Sequence, residues 1–181
     1  MRVVSGSLRG RPITAPLGDN TRPTTDRARE AVFNALQSLG AVEGTSVADL
    51  FAGSGALGIE ALSRGAERCV FVERDRDALA AIRSNIAKLG LGERARVVAG
   101  DVVSNLGSLR GIDLVLIDPP YGFDEWPSLL ARCAPCLAEG AVVVVESGRE
   151  LAPMAGWEVV RAKRYGRAWV SFLVVSADAT P

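Results

Sequence analysis

The chain reads as a doubly wound α/β domain: a mostly parallel, seven-stranded, Rossmann-like sheet carrying a small N-terminal β-hairpin and helix extension. Three observations predict it. Between Ser46 and Ser147, short β-branched runs alternate with helical patterns, the rhythm of strands joined by crossover helices. The runs are apolar at consecutive positions, as in LVLI at 114–117 and VVVV at 142–145, which suits strands covered on both faces. The first run leads directly into a glycine-rich turn that opens a helix, Asp49 to Gly58, as where open α/β sheets bind ligands.

Taken in order, Arg2–Ser5 and Arg11–Ala15 flank a Gly/Ser-containing turn and suggest the N-terminal hairpin. Thr24 or Thr25 is suited to cap a helix running to about Leu39, with Ala28, Val32, Leu36 and Leu39 on one face. Strands are expected at Val47–Phe51, Arg68–Glu73, Arg96–Gly100, Asp113–Asp118 and Ala141–Glu146, and helices at Ala56–Arg64, Arg76–Leu89, Val102–Leu109 and Trp126–Leu137. Trp157–Tyr165 and Ala168–Val175, separated by Gly166-Arg167, read as a closing hairpin that adds an antiparallel strand at the sheet edge. Residues 1–40 then form a basic extension, 41–176 the main domain and 177–181 a frayed tail.

Composition narrows the chemistry. At 181 residues, with 48% apolar and 23% charged, the chain is one ordinary domain that needs no staples, so intrinsic disorder and disulfide scaffolds are excluded. Histidine is absent, which removes a Ser-His-Asp triad, a histidine base and a histidine-ligated zinc. Three cysteines, Cys69, Cys133 and Cys136, are too few for a four-cysteine zinc site and argue for a reducing compartment. Cys133 and Cys136 have redox spacing but sit within a helical pattern, and core packing is the favoured reading. Trp157 and Trp169 likewise read as packing residues. No secretory or membrane-spanning segment is visible in the sequence, so a cytoplasmic protein without membrane contact is expected.

A net charge of zero conceals an asymmetry. Residues 1–29 hold six arginines against Asp19 and Asp26, a net +4, and residues 161–181 hold Arg161, Lys163, Arg164 and Arg167 against Asp178, a net +3. The middle of the chain therefore carries −7. Two basic ends suggest a shared polyanion such as nucleic acid.

The glycines of Asp49-Leu-Phe-Ala-Gly53-Ser-Gly55-Ala-Leu-Gly58 match G-x-G-x-x-G between a strand and a helix. Such a turn lets the backbone approach a ligand closely and aims helix N-terminal N–H groups at it. Glu73 ends the next strand, at the spacing where a carboxylate accepts ribose hydroxyls. A nucleoside-containing cofactor is implied. Asp118-Pro119-Pro120-Tyr121, after the fourth strand, points to a substrate. The prolines end the strand and free their carbonyls from a neighbouring N–H. Asp118 and the Pro119 carbonyl can accept from an exocyclic amino group on a planar base, with Tyr121 stacked on the ring.

D/N-P-P-Y/F/W in this position resembles the signature of S-adenosylmethionine-dependent amino methyltransferases acting on DNA, RNA or glutamine. More narrowly, Arg9-Gly-Arg11, RPTTDRARE at 22–30, LFAGSGALG at 50–58, EALSRGA at 60–66, Phe71-Val-Glu73 and Asp118 to Tyr121 together resemble the bacterial 16S rRNA guanine-N2 methyltransferase family, the small-subunit rRNA methyltransferase D group. The resemblance implies a class I S-adenosylmethionine-dependent fold and activity, with S-adenosylhomocysteine as product and no metal. It assigns Asp49, Phe51, Ala52, Gly53, Ser54 and Gly55 to the methionine part of the cofactor, Glu73 with Arg74 to the ribose side, and Asp101 with the Val102 N–H to the adenine. Asp118, Pro119, Pro120 and Tyr121 would be catalytic. The substrate implied is guanine 966 of 16S rRNA in the assembling small subunit, held by Arg9, Arg11, Arg22, Thr24, Arg27, Arg29, Lys163, Arg164 and Arg167. A monomer is expected. Two other readings stay open: a DNA amino methyltransferase on adenine N6 or cytosine N4, against which no separate target-recognition region is visible, and a non-catalytic ribosome assembly factor with a retained cofactor pocket.

Overall fold

The structure is a computed structural model that describes residues 1–16, 26–120 and 122–177. Helix α1 (Asp26–Ser38) precedes β1 (Ser46–Leu50), α2 (Ala56–Ser63), β2 (Arg68–Glu73), α3 (Arg76–Leu89), β3 (Ala95–Ala99), α4 (Val102–Leu106), β4 (Ile112–Ile117), α5 (Trp126–Cys133), β5 (Leu137–Ser147), β6 (Trp157–Tyr165) and β7 (Ala168–Val175). The strands make one seven-stranded sheet in the order β3-β2-β1-β4-β5-β7-β6. Strands β1 to β5 are parallel. β7 runs antiparallel to β5 and to β6.

Helices cover both faces, as the consecutive apolar runs require. On one face Val47, Phe71, Leu116 and Val144 pack with Val32, Phe33 and Leu36 of α1, Ile59 and Leu62 of α2, and Ile82 and Ile86 of α3. On the other, Leu50, Val72, Val115, Ile117 and Val145 pack with Val102 and Leu106 of α4 and Trp126, Leu129 and Leu130 of α5.

The differences from the sequence expectations have local causes. The antiparallel strand expected at the sheet edge lies one place in: β7 pairs with β5, and β6 takes the edge. Val170, Phe172 and Leu173 of β7 are buried, with Phe172 and Leu173 on opposite faces, so β7 belongs inside the sheet, where both faces are covered. β6 alternates Glu158, Arg161 and Lys163 with apolar residues and tolerates the edge. The expected helix Trp126–Leu137 stops at Cys133 and finishes as a 3₁₀ turn, Ala134–Cys136, because Pro135 has no N–H to donate. β5 consequently begins at Leu137, with a register shift against β4 before Val142. The N-terminal hairpin is reduced to a single Arg2–Pro12 bridge, flanked by Val3 N–H to the Arg11 carbonyl and Ile13 N–H to the Met1 carbonyl. Leu39 is 56% exposed because α1 ends at Ser38 and the chain turns away at Gly40; Phe33 and Ala35 join the buried face instead. The expected threonine cap at Thr24 or Thr25 lies outside the described residues, as does the tail beyond Ala177.

Candidate functional site

A cavity of about 480 Å³ opens at the C-terminal ends of β1 to β5, within the range of small-molecule sites. Its wall beside β1 is the glycine loop. Phe51 has φ +59, a left-handed conformation that costs a non-glycine residue about 1–3 kcal/mol and marks a constrained turn. Gly53 and Gly55 are left-handed as well. The last glycine of the motif serves packing: a Cβ on Gly58 would come within 2.4 Å of the Phe71 ring and 2.7 Å of Cys69 Sγ. α2 lies that close to β2 only because residue 58 has no side chain.

Two carboxylates fix this loop. Asp49, on β1 and 1% exposed, accepts the Gly58 N–H through Oδ2 at 2.8 Å. Burial pushes its carboxyl well above the usual carboxylate range, the Gly58 hydrogen bond opposes that shift, and the nearby charges of Asp118 and Glu73 reinforce it. Glu73 accepts the Gly53 N–H at 2.8 Å through Oε2, and the Arg74 and Asp75 N–H groups at 2.7 and 2.9 Å through Oε1. Asp75 caps α3 by accepting from Asp77 and Ala78, and Asp101 caps α4 by accepting from Ser104. Asp101, Val102, Arg74 and Ser54 all line the cavity.

Beside the loop, Asp118, Pro119 and Pro120 follow β4, the neighbour of β1, and line the cavity. The Pro120 carbonyl accepts from Phe123; the Pro119 carbonyl has no hydrogen-bond partner among the described residues. Tyr121, together with Arg22 and Thr24, lies outside the described residues. An aromatic wall that the sequence reading did not single out stands here. The Phe123 ring packs edge-on against Phe51, with centroids 5.6 Å apart, and against Trp126, at 4.8 Å. Glu146 and Ser147, at the end of β5, and Ala168, at the start of β7, also border the cavity. The rule that ligands sit at strand C-termini would have flagged Glu146 and Ser147; Ala168 is there because β7 runs antiparallel to β5.

Seven carboxyl groups, those of Asp49, Glu73, Asp75, Asp77, Asp101, Asp118 and Glu146, line the cavity against Arg29 and Arg74 and leave it acidic. It repels phosphate and favours a cation and hydrogen-bond donors, which sets it apart from a pyrophosphate-binding dinucleotide site. Among the described residues no group of His, Cys, Asp and Glu is arranged to hold a metal.

The expected RNA contacts divide. Arg164 and Arg167 are exposed at the β6–β7 turn, next to the cavity residue Ala168; Lys163 is exposed beside Tyr165. Arg27 is exposed on α1. Arg9 and Arg11 are exposed, but on the tip of an arm docked at the far ends of α2 and α3: Ser7 N–H donates to the Ser63 carbonyl and Arg11 Nη2 to the Lys88 carbonyl. Among the described residues of the arm, Met1, Ala15 and Pro16 line the cavity. Arg29 departs from expectation most. Its side chain is 1% exposed, bonded to Asp26 at 2.9 Å and to the Arg2 carbonyl, and 3.6 Å from buried Glu60. It is an internal brace with no surface to offer a phosphate backbone. The three thiols are buried and unpaired, and burial pushes Cys133 up to about 12, so Cys133 and Cys136 are core residues, as expected.

The family model described as Conserved hypothetical protein 95 matches residues 1–174. The chain is 41% identical over 157 residues to YlbH of Bacillus subtilis, covering 83% of this chain and 84% of that one. It is 38% identical over 175 residues to Ribosomal RNA small subunit methyltransferase D of Escherichia coli, covering 92% and 86%. Among solved structures, yhhF of Escherichia coli aligns with a TM-score of 0.85 at 34% identity over 98% of each chain. SMU.776, solved in complex with SAH, shares the fold at 13% identity, with a TM-score of 0.68 over 84% of this chain and 50% of that one. The sheet order, the reversed strand β7 and the cavity at the strand ends define a class I methyltransferase. Within that class the chain belongs to the small-subunit rRNA methyltransferase D family. Among the described residues no helix is long and apolar enough to cross a membrane.

Proposed function

We propose that the protein transfers the methyl group of S-adenosylmethionine to the exocyclic N2 amino group of a guanine in 16S rRNA, guanine 966 by family resemblance, on assembling small subunits in the cytoplasm. The observation that carries this reading is the wall of acceptors formed by Asp118 and the Pro119 carbonyl beside the glycine loop of an acidic cavity. S-adenosylmethionine supplies an electrophilic methyl group on a sulfonium centre. The residues present fit it: the carboxylates favour its positive charge, the Phe51–Gly55 backbone can approach its methionine part, and Glu73 and Asp101 would serve its ribose and adenine. Glu73 already accepts three N–H groups, so of about four lone-pair directions on a carboxylate one remains for a ribose hydroxyl without loop adjustment.

The chain's own work is desolvation and orientation. Phe51, Phe123 and Trp126 exclude water from one wall. Asp118 and Pro119 accept both amine hydrogens, turn the nitrogen lone pair toward the methyl group and stabilise the positive charge that develops on nitrogen. The proton leaves to water or through Asp118. No histidine or metal is required.

The test is incubation with labelled S-adenosylmethionine and, in parallel, methylation-deficient small subunits, naked 16S rRNA and duplex DNA. N2-methylguanosine in rRNA is the expected product; label in DNA alone would favour the DNA amino methyltransferase reading, and no turnover at all the assembly-factor reading. Asp118→Ala should lower the rate by about 10²–10³ while the protein still binds S-adenosylhomocysteine. A variant at the parental rate would remove Asp118 from the reaction.

A further inference from the structure

β4 and β5 run in parallel, with Ile117 beside Val145. One residue past this last register pair come Asp118, just beyond the end of β4, and Glu146, still within β5; neighbouring strands of a sheet run about 4.8 Å apart. Alternation turns them to the same face. Leu116 and Val144, two residues earlier, belong to the core on the α1 side, and Glu146 also borders a small crevice there with Val32, Leu57, Leu116 and Val170. Both carboxylates line the main cavity. The wall that meets the substrate amine is therefore two carboxylates wide.

The bases differ in what lies next to the amino group. In adenine the neighbour of the 6-amino group is the acceptor N1, and in cytosine the neighbour of the 4-amino group is the acceptor N3. Only guanine places a donor, N1–H, beside its amino group. A second carboxylate next to the amine acceptor meets a lone pair in adenine or cytosine and a hydrogen in guanine.

We propose that Glu146 is the specificity-determining residue, its carboxylate accepting the guanine N1–H while Asp118 and the Pro119 carbonyl accept from the N2 amino group. This rests on the guanine-N2 reading above and adds the residue that enforces it. Rejection of the wrong base comes from an acceptor, desolvated by the bound base, left facing another acceptor, the arrangement by which polar sites discriminate most strongly.

The experiment uses small subunits reconstituted with 16S rRNA carrying either guanine or 2-aminopurine at the target position. 2-Aminopurine keeps the 2-amino group but has an unprotonated N1. Wild-type protein should prefer guanine in kcat/KM by about 10- to 100-fold, the worth of one hydrogen bond to a charged group. Glu146→Gln, whose amide offers both a donor and an acceptor, should bring the two substrates within about threefold of each other. Calorimetry with S-adenosylhomocysteine, unchanged within about twofold, shows that the variant is folded. Equal use of both bases by wild-type protein overturns the proposal without any variant. A glutamine variant that keeps the wild-type preference overturns it too, while leaving guanine methylation standing. Wild-type protein that methylates no guanine overturns both.

Discussion

Asp49 carries a conflict within one side chain: its carboxylate holds the start of α2 through Gly58, yet burial and the charges of Asp118 and Glu73 penalise its ionisation. A carboxyl whose pKa is raised by folding favours the folded state below its unfolded value of about 3.9, and that contribution is lost as pH rises through the folded value. Asp49→Asn keeps an oxygen for Gly58 and has nothing to ionise. The stability of the variant relative to wild type should therefore grow with pH from about 4 upward and then level off, as read by urea denaturation across pH. A difference that stays flat from pH 4 to 8 would contradict the burial argument. A cationic ligand beside Asp49 opposes the same penalty, so saturating S-adenosylmethionine should narrow the gap.

At the scale of elements, the N-terminal arm, α1 and α2 are joined by one buried carboxylate. Glu60, fully buried on α2, accepts the Val4 and Ser5 N–H groups at 2.8 and 3.0 Å and Arg64 Nε at 2.7 Å, and lies 3.6 Å from Arg29 Nε. Arg64 in turn bonds Asn34 and Gln37 of α1 and stacks on Phe33. Glu60→Ala would leave buried Arg64 without its counter-charge and Arg29 with Asp26 alone, and should cost about 3–5 kcal/mol, measured by denaturant unfolding; a loss under about 1 kcal/mol would mean that the arm and α1 hold without it. This joint also marks what the sequence could say. β1 to β4 were legible to within a residue because apolar runs between helical patterns leave little choice, and Asp49, Glu73, Asp101 and Asp118 were legible because strand C-termini are where such sheets bind ligands. Arg29 was not: one more arginine in a basic stretch looks like surface until its partner, 31 positions away on another helix, is known. The place of β7 depended on comparing two strands of one hairpin for which tolerates an open edge, and Glu146 depended on the register of β5 against β4.

At the scale of the whole molecule Arg9 and Arg11 are separated from the C-terminal arginines. The β6–β7 turn with Arg164 and Arg167 adjoins the cavity, while Arg9 and Arg11 sit past the far end of α2, whose eight residues span about 12 Å. Affinity for the ribosomal substrate should fall steeply with salt, by about 0.7–0.9 log units per log unit for each phosphate contact. Replacing Arg164 and Arg167 by Ala should flatten that slope by about one to two. The same change at Arg9 and Arg11 should flatten it by less than one, with cofactor affinity unaffected in both cases. Equal flattening in a salt series would show that the RNA wraps to the far end of the helices.

Reversing the last two strands leaves a separate mark on solubility. Without β7, the valines 142–145 of β5 would form an open, uncharged strand with no proline, the kind of segment that recruits other chains into intermolecular sheets. The hairpin covers that strand and exposes in its place β6, where Glu158, Arg161, Lys163 and Arg164 discourage stacking. A chain ending at residue 156 should accordingly scatter light and sediment within hours at concentrations where the full chain stays clear. If it stays clear as well, the valine strand finds another cover. The final hairpin thus acts as a built-in guard against self-association, in addition to carrying arginines to the mouth of the cavity.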